Sequence, residues 1–261
     1  MASKNVFVKK MNGKLERYSK SKLRKSIIRS GASREVVEEI LEKVEKILYD
    51  GIETRKIFRF VSSQLKRKEN SVELRYNLKR SVMDLMINGG FVFEKFVGKL
   101  FEKKGYKVCL NKVVRGKSIS HEIDVTARKG REVLMIESKH HMNPWLGEQI
   151  QTALYVYARF LDLKEKYTKP FLVTNTKFSA QVIKYSNSVG IRLMGWNYPK
   201  GDSLSENITK HNLYPITILG LSKLDLNRYL EKDILTLEDM KGVRGLPPDL
   251  RKKIDLFLLN N

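Results

Sequence analysis

Apolar and polar positions alternate along two neighbouring stretches in the middle of the chain. The stretches are residues 122–127 and 133–138, and residues 128–131 between them have the composition of a turn. A period of two predicts strands, and the pair is therefore predicted to form a β-hairpin. Residues two apart share a face of a strand. One face is predicted to carry Glu122, Asp124, Glu137 and Lys139. The opposite face is predicted to carry Ile123, Val125, Leu134 and Ile136.

Helical periodicity flanks this hairpin on both sides. Apolar residues recur at helical spacing over residues 91–104 and 179–187, and short apolar runs at 171–173 and 191–194 are typical of buried strands. A further helix is predicted after Pro144. The order α-β-β-β-α-β-α-β predicts an α/β fold, a sheet flanked by helices. The helix after Pro144 is predicted to bury Leu146, Ile150, Ala153, Leu154, Tyr157 and Leu161 on one stripe.

The two ends of the chain have simpler patterns. Near the N-terminus, two short strands around an Asn12-Gly13 turn form a predicted hairpin, and Ser19 or Ser21 would cap the helix that follows. This helix is predicted to end at Gly31. The remaining helices are predicted at residues 35–49, 54–68, 72–87, 221–230, 236–240 and 249–259.

Charge narrows the class of partner. The chain of 261 residues has a net charge of +22. Residues 1–88 carry 22 basic and 11 acidic side chains, residues 89–200 carry 20 and 9, and residues 201–261 carry 9 of each. The basic excess of the first two segments predicts a polyanionic partner, DNA above all.

Cysteine content and hydropathy indicate the compartment. The single Cys109 permits no internal disulfide and no cysteine-rich zinc site, and this fits a reducing compartment. We expect no membrane span and no signal peptide, because no apolar run approaches the length that a span needs. A cytoplasmic protein is the resulting expectation. His121, His140 and His141 lack a recognisable zinc-ligand spacing.

Asp124, Glu137 and Lys139 together are the minimal chemistry of a metal-dependent phosphodiesterase. Two converging carboxylates repel each other unless a cation lies between them, and hard oxygen ligands favour Mg²⁺ or Mn²⁺. A lysine beside the metal orients an attacking water and stabilises developing phosphoryl charge. The alternative is an ordinary hairpin whose solvent-facing side carries alternating charges.

The context of these residues resembles the Mrr-like branch of the PD-(D/E)xK restriction-endonuclease superfamily, over about residues 90–198. The similarity is carried by Phe93-Glu94-Lys95-Phe96, Gly105-Tyr106-Lys107-Val108, Glu122-Ile123-Asp124-Val125 and Ile136-Glu137-Ser138-Lys139. The resemblance implies that Asp124 and Glu137 are metal ligands and that Lys139 is the catalytic lysine. Glu94 would complete the metal site, and Gln149 is a further candidate.

The N-terminal segment resembles the ATP-cone, a nucleotide-binding regulatory module. The resemblance rests on residues 8–13, Glu16, Ser19, Lys22-Leu23 and residues 50–54, although Met11 stands where the family usually has a second basic residue. It implies that ATP or dATP is an effector. The alternative is a basic hairpin that binds nucleic acid. The implied nucleotide-binding residues are Val8, Lys10, Glu16, Ser19, Lys22 and Thr54.

These expectations combine into three segments: an ATP-cone at residues 1–88, a nuclease domain at 89–200 and a helical extension at 201–261 that weakly resembles a helix-hairpin-helix. The expected function is a Mg²⁺- or Mn²⁺-dependent DNA endonuclease under nucleotide control. The alternatives are a nucleotide-sensing DNA-binding regulator that does not cut, and a nuclease for RNA or branched DNA. Cutting both strands would need a homodimer or a higher homo-oligomer.

Overall fold

The computed structural model of the chain describes residues 6–10, 13–86, 91–144 and 146–259. The chain divides into two units, and the boundary falls between Leu78 and Lys79. The predicted boundaries at residues 88 and 200 stay predictions. None of the helices in the described ranges is both long and apolar enough to cross a membrane.

The N-terminal unit contains a small sheet of three strands. The strands are β1 (Phe7–Lys9), β2 (Leu15–Arg17) and β3 (Ile52–Glu53), in the order β2-β1-β3. β1 pairs antiparallel with β2 and parallel with β3. The predicted hairpin therefore gains a third strand, because Gly51 adopts a φ of 82° and its N–H bonds to the carbonyl of Phe7. Met11 and Asn12 of the predicted turn lie outside the described residues.

Four helices complete this unit. They are α1 (Lys20–Arg29), α2 (Arg34–Ile47), α3 (Thr54–Lys68) and α4 (Asn70–Tyr76). Ser19 caps α1, which settles the choice between Ser19 and Ser21. The core consists of apolar residues from the sheet and the helices: Val8, Ile27, Val37, Ile40, Leu41, Val44, Ile52, Ile57, Val61, Leu65 and Val72.

The single helix predicted over residues 72–87 is wrong. After α4 the chain forms α5 (Leu78–Met83) and then a 3-10 helix (Asp84–Met86), and residue 87 lies outside the described residues. The break falls at Asn77, whose side-chain amide donates to Ser62 Oγ at 3.2 Å and to the carbonyl of Glu73 at 3.1 Å. An asparagine that bonds to its own helix in this way favours termination over continuation.

The second unit is built on a five-stranded mixed sheet, which confirms the predicted α/β fold. The strands are β4 (Lys107–Arg115), β5 (Ser120–Lys129), β6 (Glu132–Lys139), β8 (Lys169–Thr174) and β10 (Arg192–Met194), in the order β10-β8-β6-β5-β4. β4, β5 and β6 pair antiparallel, whereas β6, β8 and β10 pair parallel. A separate pair consists of β7 (Gly147–Glu148) and β9 (Lys177–Phe178).

Helices cover both faces of this sheet. They are α6 (Phe91–Lys103), α7 (Ile150–Leu163) and α8 (Ala180–Val189). Phe101 of α6 packs edge-on against Phe171 of β8 at 5.4 Å between ring centroids. α7 and α8 pack on the other face, with a core that includes Val133, Met135, Ala153, Val156, Leu172 and Val182.

The prediction that Ile123 points with Leu134 and Ile136 is wrong. Ile123 belongs to the core under α7 and α8, together with Met135, and neighbours on a strand alternate between faces. β4 changes faces in the same way. Leu110 lies against Gly98 of α6, whereas Val114 packs in the core under α7 and α8.

Both changes of face occur at one level of the sheet. The pairs Leu110 with Val125 and Lys112 with Ile123 leave Asn111 opposite Asp124. Asn111 has a φ of 48°, a left-handed conformation that is uncommon outside glycine. Each strand carries one extra residue at this level, Asn111 in β4 and Asp124 in β5. The pairing of the two strands therefore continues in the same register, but the side chains beyond this level point to the opposite face of the sheet.

The apolar stripe predicted for the helix after Pro144 is also wrong in part. The helix begins only at Ile150, because β7 precedes it. Leu146, Leu154 and Leu161 are exposed. The face of α7 that packs on the sheet instead carries Ala153, Val156, Arg159 and Leu163.

Residues 201–259 pack within the second unit. They form α9 (Leu204–Lys210), a 3-10 helix (Ile216–Leu219), α10 (Lys223–Leu230), α11 (Leu237–Lys241) and α12 (Pro248–Leu259). Lysines one turn apart on α6 pair with acidic residues of this segment: Lys95 with Asp233, Lys99 with Asp239 at 2.9 Å, and Lys103 with Glu238 at 2.5 Å. This segment carries equal numbers of acidic and basic residues, but the surface that faces α6 is acidic.

Gly116 has no room for a side chain. A Cβ there would lie 2.0 Å from Asp162 Oδ2 and 2.8 Å from the carbonyl oxygen of Ile119. Asp162 cannot easily move, because its carboxylate accepts the N–H groups of Ser118 and Ile119 and pairs with His121. We expect Gly116→Ala to lower the free energy of unfolding by about 1–3 kcal/mol, measured by urea denaturation.

Gly242→Ala is the matched control for Gly116→Ala. Gly242 has a right-handed helical conformation, and a Cβ there would meet only the carbonyl oxygen of Asp239, at 3.4 Å. This change should leave stability unaltered or slightly improved. Equal effects of the two substitutions would contradict the close packing at Gly116.

Candidate active site and candidate nucleotide site

The central hairpin places Asp124 opposite Glu137. Val125 pairs with Ile136 and Lys129 with Glu132, so the loop consists of Gly130 and Arg131. This two-residue loop sets the register of the hairpin. Beyond Ile136 the two strands separate, and Asp124 Oδ2 accepts the backbone N–H of Ser138 at 2.8 Å. The Asp124 carboxylate thus replaces a main-chain partner at the point where the hairpin opens.

Glu137 lies between two cations. Its side chain is 6% exposed, and Oε1 contacts Lys139 Nζ at 2.6 Å while Oε2 contacts Arg159 Nη1 at 2.5 Å. Arg159 comes from α7 and is 8% exposed; it also donates to the carbonyl of Glu122 and lies over the ring of Tyr155. A buried carboxylate is stable only when its charge is balanced, and this pair of contacts does so.

Glu94 of α6 brings a third carboxylate to this site. Burial, followed by the negative charges of Asp124, Glu122 and Glu137, raises the pKa of Glu94 to about 7. Burial and the charge of Glu137 likewise raise the pKa of Asp124 to about 6, against the opposing hydrogen bond from Ser138. The three predicted acidic residues therefore lie close enough to repel one another electrostatically.

Lys139 keeps its positive charge in this setting. Burial lowers the pKa of Lys139, but the hydrogen bond and the charge of Glu137 outweigh that effect and raise it above its usual value. About two fifths of the side chain remains exposed. A charged lysine with an exposed ammonium group is suited to contact a phosphate oxygen.

The N-terminal unit gathers three of the predicted nucleotide-site residues into one ionic cluster. Glu16 of β2 pairs with Lys10 and with Lys22 of α1, the latter at 2.6 Å. Hydrogen bonds from Lys10 and then from Lys22 lower the pKa of Glu16 to about 2. Lys22 is 75% exposed, so its ammonium group is open to an anionic ligand.

The other predicted residues support this cluster in different ways. Val8 is buried in β1, between Glu16 of β2 and Ile52 of β3. Ser19 Oγ accepts the N–H of Lys22 at 3.3 Å as the cap of α1. Thr54 begins α3, and its hydroxyl donates to the carbonyl of Lys9 at 3.4 Å. Val8 therefore has a core role, while Ser19 and Thr54 place their hydroxyls at two helix starts.

Comparison with known families agrees with both predicted domains. A family model described as restriction endonuclease matches residues 88–197, and one described as ATP cone domain matches residues 6–80. The chain belongs to the family of ATP-cone proteins fused to a Mrr-like restriction-endonuclease domain. The predicted fusion is confirmed, and with it a nuclease-type protein that carries a nucleotide-sensing domain. The roles of individual site residues stay predictions.

One curated protein and one solved structure are also similar to this chain. An uncharacterized protein from Archaeoglobus fulgidus is 38% identical over 145 residues, which is 55% of this chain and 83% of that protein. The crystal structure of a protein of unknown function is 33% identical, with a TM-score of 0.56, and the match covers 64% of this chain and 97% of the other.

The acidic residues of the nuclease domain suit a hard divalent cation in their ligand chemistry. Their oxygens are the donors that Mg²⁺ and Mn²⁺ prefer. Burial, and after it the charge of neighbouring carboxylates, raises the pKa values of Glu94 and Asp124, and a bound cation would offset both effects. Among the described residues no three histidine, cysteine, aspartate or glutamate side chains are already grouped for metal binding. Oε1 of Glu137 is paired with Lys139, so a cation that binds this oxygen would have to displace the lysine.

Sequence reasoning did not find Arg159. A polar residue on the buried stripe of a helix is the signal that points to it, because burying an arginine requires a negatively charged partner. The predicted apolar stripe did not include Arg159, which lies on the buried face of α7. Gln149, the weaker candidate, stands at the cap position of α7, and its amide donates to the carbonyl of Gly147 at 2.8 Å.

Removing one carboxylate of the nuclease domain should stabilise the protein. The pKa of Asp124 is higher in the folded chain than in the unfolded chain, so its contribution to stability is present at low pH and is lost as the pH rises from about 4 to about 6. We expect Asp124→Asn, in EDTA at pH 8, to raise the free energy of unfolding by about 1–2 kcal/mol. Thermal melting at pH 8 and pH 5 measures this gain, which should shrink at pH 5.

Metal provides the complementary measurement for Asp124→Asn. Mg²⁺ or Mn²⁺ should raise the melting temperature of the wild-type protein at pH 8 more than that of the variant. A variant that is less stable than wild type at pH 8 would contradict the repulsion between these carboxylates.

Proposed function

We propose that the protein is a metal-dependent DNA endonuclease whose activity is controlled by ATP or dATP bound to the cone. The observation that carries this proposal is the convergence of Asp124, Glu137 and Lys139 at the opening of one hairpin, within electrostatic range of Glu94 on α6. The excess of basic over acidic residues in residues 1–200 supports a polyanionic substrate. DNA is our choice within that class.

Each side chain has a distinct task in the proposed reaction. Asp124, Glu137 and Glu94 would hold a divalent cation, which would supply Lewis-acid stabilisation of the phosphoryl group. Arg159 holds Oε2 of Glu137 and leaves Oε1 to face the site. Lys139, once it has left Oε1, keeps its ammonium group within reach of a phosphate oxygen and of the attacking water. The ordinary pKa of a lysine side chain lies far above 7, so this group stays charged at neutral pH after it has left Glu137.

The cone is proposed to bind the triphosphate through Lys10 and Lys22. These two lysines share Glu16 in the structure, and an arriving triphosphate would compete with that carboxylate for them. Glu16, Ser19 and Thr54 are then available to hydrogen-bond the sugar or the base, and Val8 supports the sheet beneath them. Nucleotide binding without hydrolysis would make ATP or dATP an effector of the nuclease domain.

Cleavage assays test the nuclease. Plasmid DNA, single-stranded DNA, branched DNA and RNA are incubated with the protein in Mg²⁺ or Mn²⁺, with and without ATP or dATP. We expect metal-dependent cutting of DNA, and Lys139→Met and Glu137→Gln should each reduce its rate roughly a hundredfold or more. Lys129→Met, at the turn end of the same hairpin, is the matched control and should cut like wild type.

Two outcomes would contradict the proposal. If Lys139→Met and Glu137→Gln cut as fast as Lys129→Met, the site assignment is wrong. If DNA is bound in every condition but is never cut, the protein is a nucleotide-sensing DNA-binding regulator. If only RNA or only branched DNA is cut, the proposed substrate changes, whereas the proposed metal-dependent hydrolysis of phosphodiesters stands.

Calorimetric titration with ATP and dATP tests the cone. Lys22→Ala removes an exposed cation of the Glu16 cluster, and we expect it to weaken nucleotide binding roughly tenfold because one charge-assisted contact to phosphate is lost. Lys25→Ala, an exposed lysine one turn further along α1, is the control and should bind like wild type. Unchanged affinity in Lys22→Ala would remove the proposed pocket.

A further inference from the structure

A buried polar cluster follows Lys139 at the end of β6. Its centre is Glu148 of β7, which is 4% exposed. One oxygen of this carboxylate pairs with Nε2 of His141, and the other accepts the hydroxyl of Thr152 at 2.9 Å. A carboxylate this deeply buried requires such partners, and His141 is the one that can also reach solvent, since its side chain is 25% exposed.

The main chain of His141 is held as firmly as its ring. Asn175 is fully buried, and its side-chain amide bonds to both backbone groups of His141: Oδ1 accepts the N–H at 2.8 Å and Nδ2 donates to the carbonyl at 2.8 Å. The imidazole therefore has one orientation, with Nε2 toward Glu148 and Nδ1 turned away from it. Fixed geometry of this kind is what recognition of a ligand requires.

The location of His141 connects this cluster with the nuclease site. Lys139 ends β6 and pairs with Thr174 of β8, and Asn175, the residue after Thr174, holds the backbone of His141 two residues beyond Lys139. The charge of Glu148 also acts on Lys139. On the loop that follows, Met142 is 70% exposed and Leu146 is 52% exposed. The loop between β6 and α7 thus offers a held histidine and two apolar side chains beside Lys139.

We propose that His141, positioned by Glu148, contacts a backbone phosphate of the DNA next to the one that Lys139 faces. The proposal rests on the proposed nuclease function of this site. Glu148 accepts Nε2–H of the ring, so the protonated imidazole presents Nδ1–H as a charge-assisted donor to a phosphate oxygen, and contacts of this kind fix the register of a nucleic acid on a protein. Met142 and Leu146 supply apolar surface to the sugars beside that phosphate. His141 is the contacting group and Glu148 its positioning residue.

The test measures DNA binding and cleavage separately. Affinity for a labelled DNA duplex is measured by fluorescence anisotropy in EDTA, and KM and kcat are measured in Mg²⁺. We expect His141→Gln to weaken binding roughly fivefold to tenfold and to raise KM with little change in kcat, because one phosphate contact is lost. Glu148→Gln should act in the same direction. His211→Gln, a histidine at the end of α9, is the matched control and should bind like wild type.

Thr152→Val separates a contact from a purely structural role. It removes the second hydrogen bond of Glu148 without touching His141, and we expect a lower melting temperature with DNA affinity unchanged. Equal losses of affinity in Thr152→Val and His141→Gln would overturn the proposal, as would wild-type affinity in His141→Gln. If the wild-type protein binds DNA but never cuts it, the proposed nuclease function is wrong. The DNA affinity of His141→Gln, measured by anisotropy, still tests the phosphate contact of His141. A wild-type protein that binds no DNA overturns both.

Discussion

Glu137 brings a negative charge into a site that is almost closed to solvent, and the second unit is arranged around the balance of that charge. Lys139 supplies one positive partner from the same strand, and Arg159 supplies the other from α7. Leaving either oxygen of such a carboxylate without a partner would cost several kcal/mol, on the order of the whole stability margin of a domain. α7 must therefore turn Arg159 toward the sheet. Leu154 and Leu161, which lie on a different face of that helix, consequently remain exposed.

The sheet is irregular at the level of Asn111 and Asp124, beside this charge cluster. A regular hairpin would direct alternate residues of β5 to alternate faces along its whole length. The extra residue on each of two strands, at Asn111 and Asp124, turns the strand halves over without a change of register. Asp124 can then bond to Ser138 N–H at the opening of the hairpin, close to Glu94 and Glu137. Local backbone strain is typically found where a side chain must be directed into a site.

Opposite charges organise both units by different means. In the N-terminal unit, Glu16 holds Lys10 and Lys22 together, so two cations already lie side by side before an anion arrives. In the second unit, the lysines of α6 pair with Asp233, Glu238 and Asp239, and so connect the C-terminal segment with the helix that carries Glu94. Each exposed pair contributes little by itself. The buried apolar residues of that segment, among them Tyr214, Leu235 and Phe257, supply the larger part of its packing.

Local patterns in the chain predicted the main strands and helices of the sheet, the hairpin and the group of Asp124, Glu137, Lys139 and Glu94, but not the short strands β3, β7 and β9 or the break at Asn77. The predicted features depend on local alternation, on turn residues and on short motifs that the chain carries in consecutive positions. The partners of those groups follow only from the assembled fold. Arg159, the His141–Glu148 pair and the change of face at Asn111 arise from elements that are far apart in the chain or from backbone angles that composition does not encode. Burial of a charge is a property of the assembled fold, and the residues that balance it are known only once the helices have been placed on the sheet.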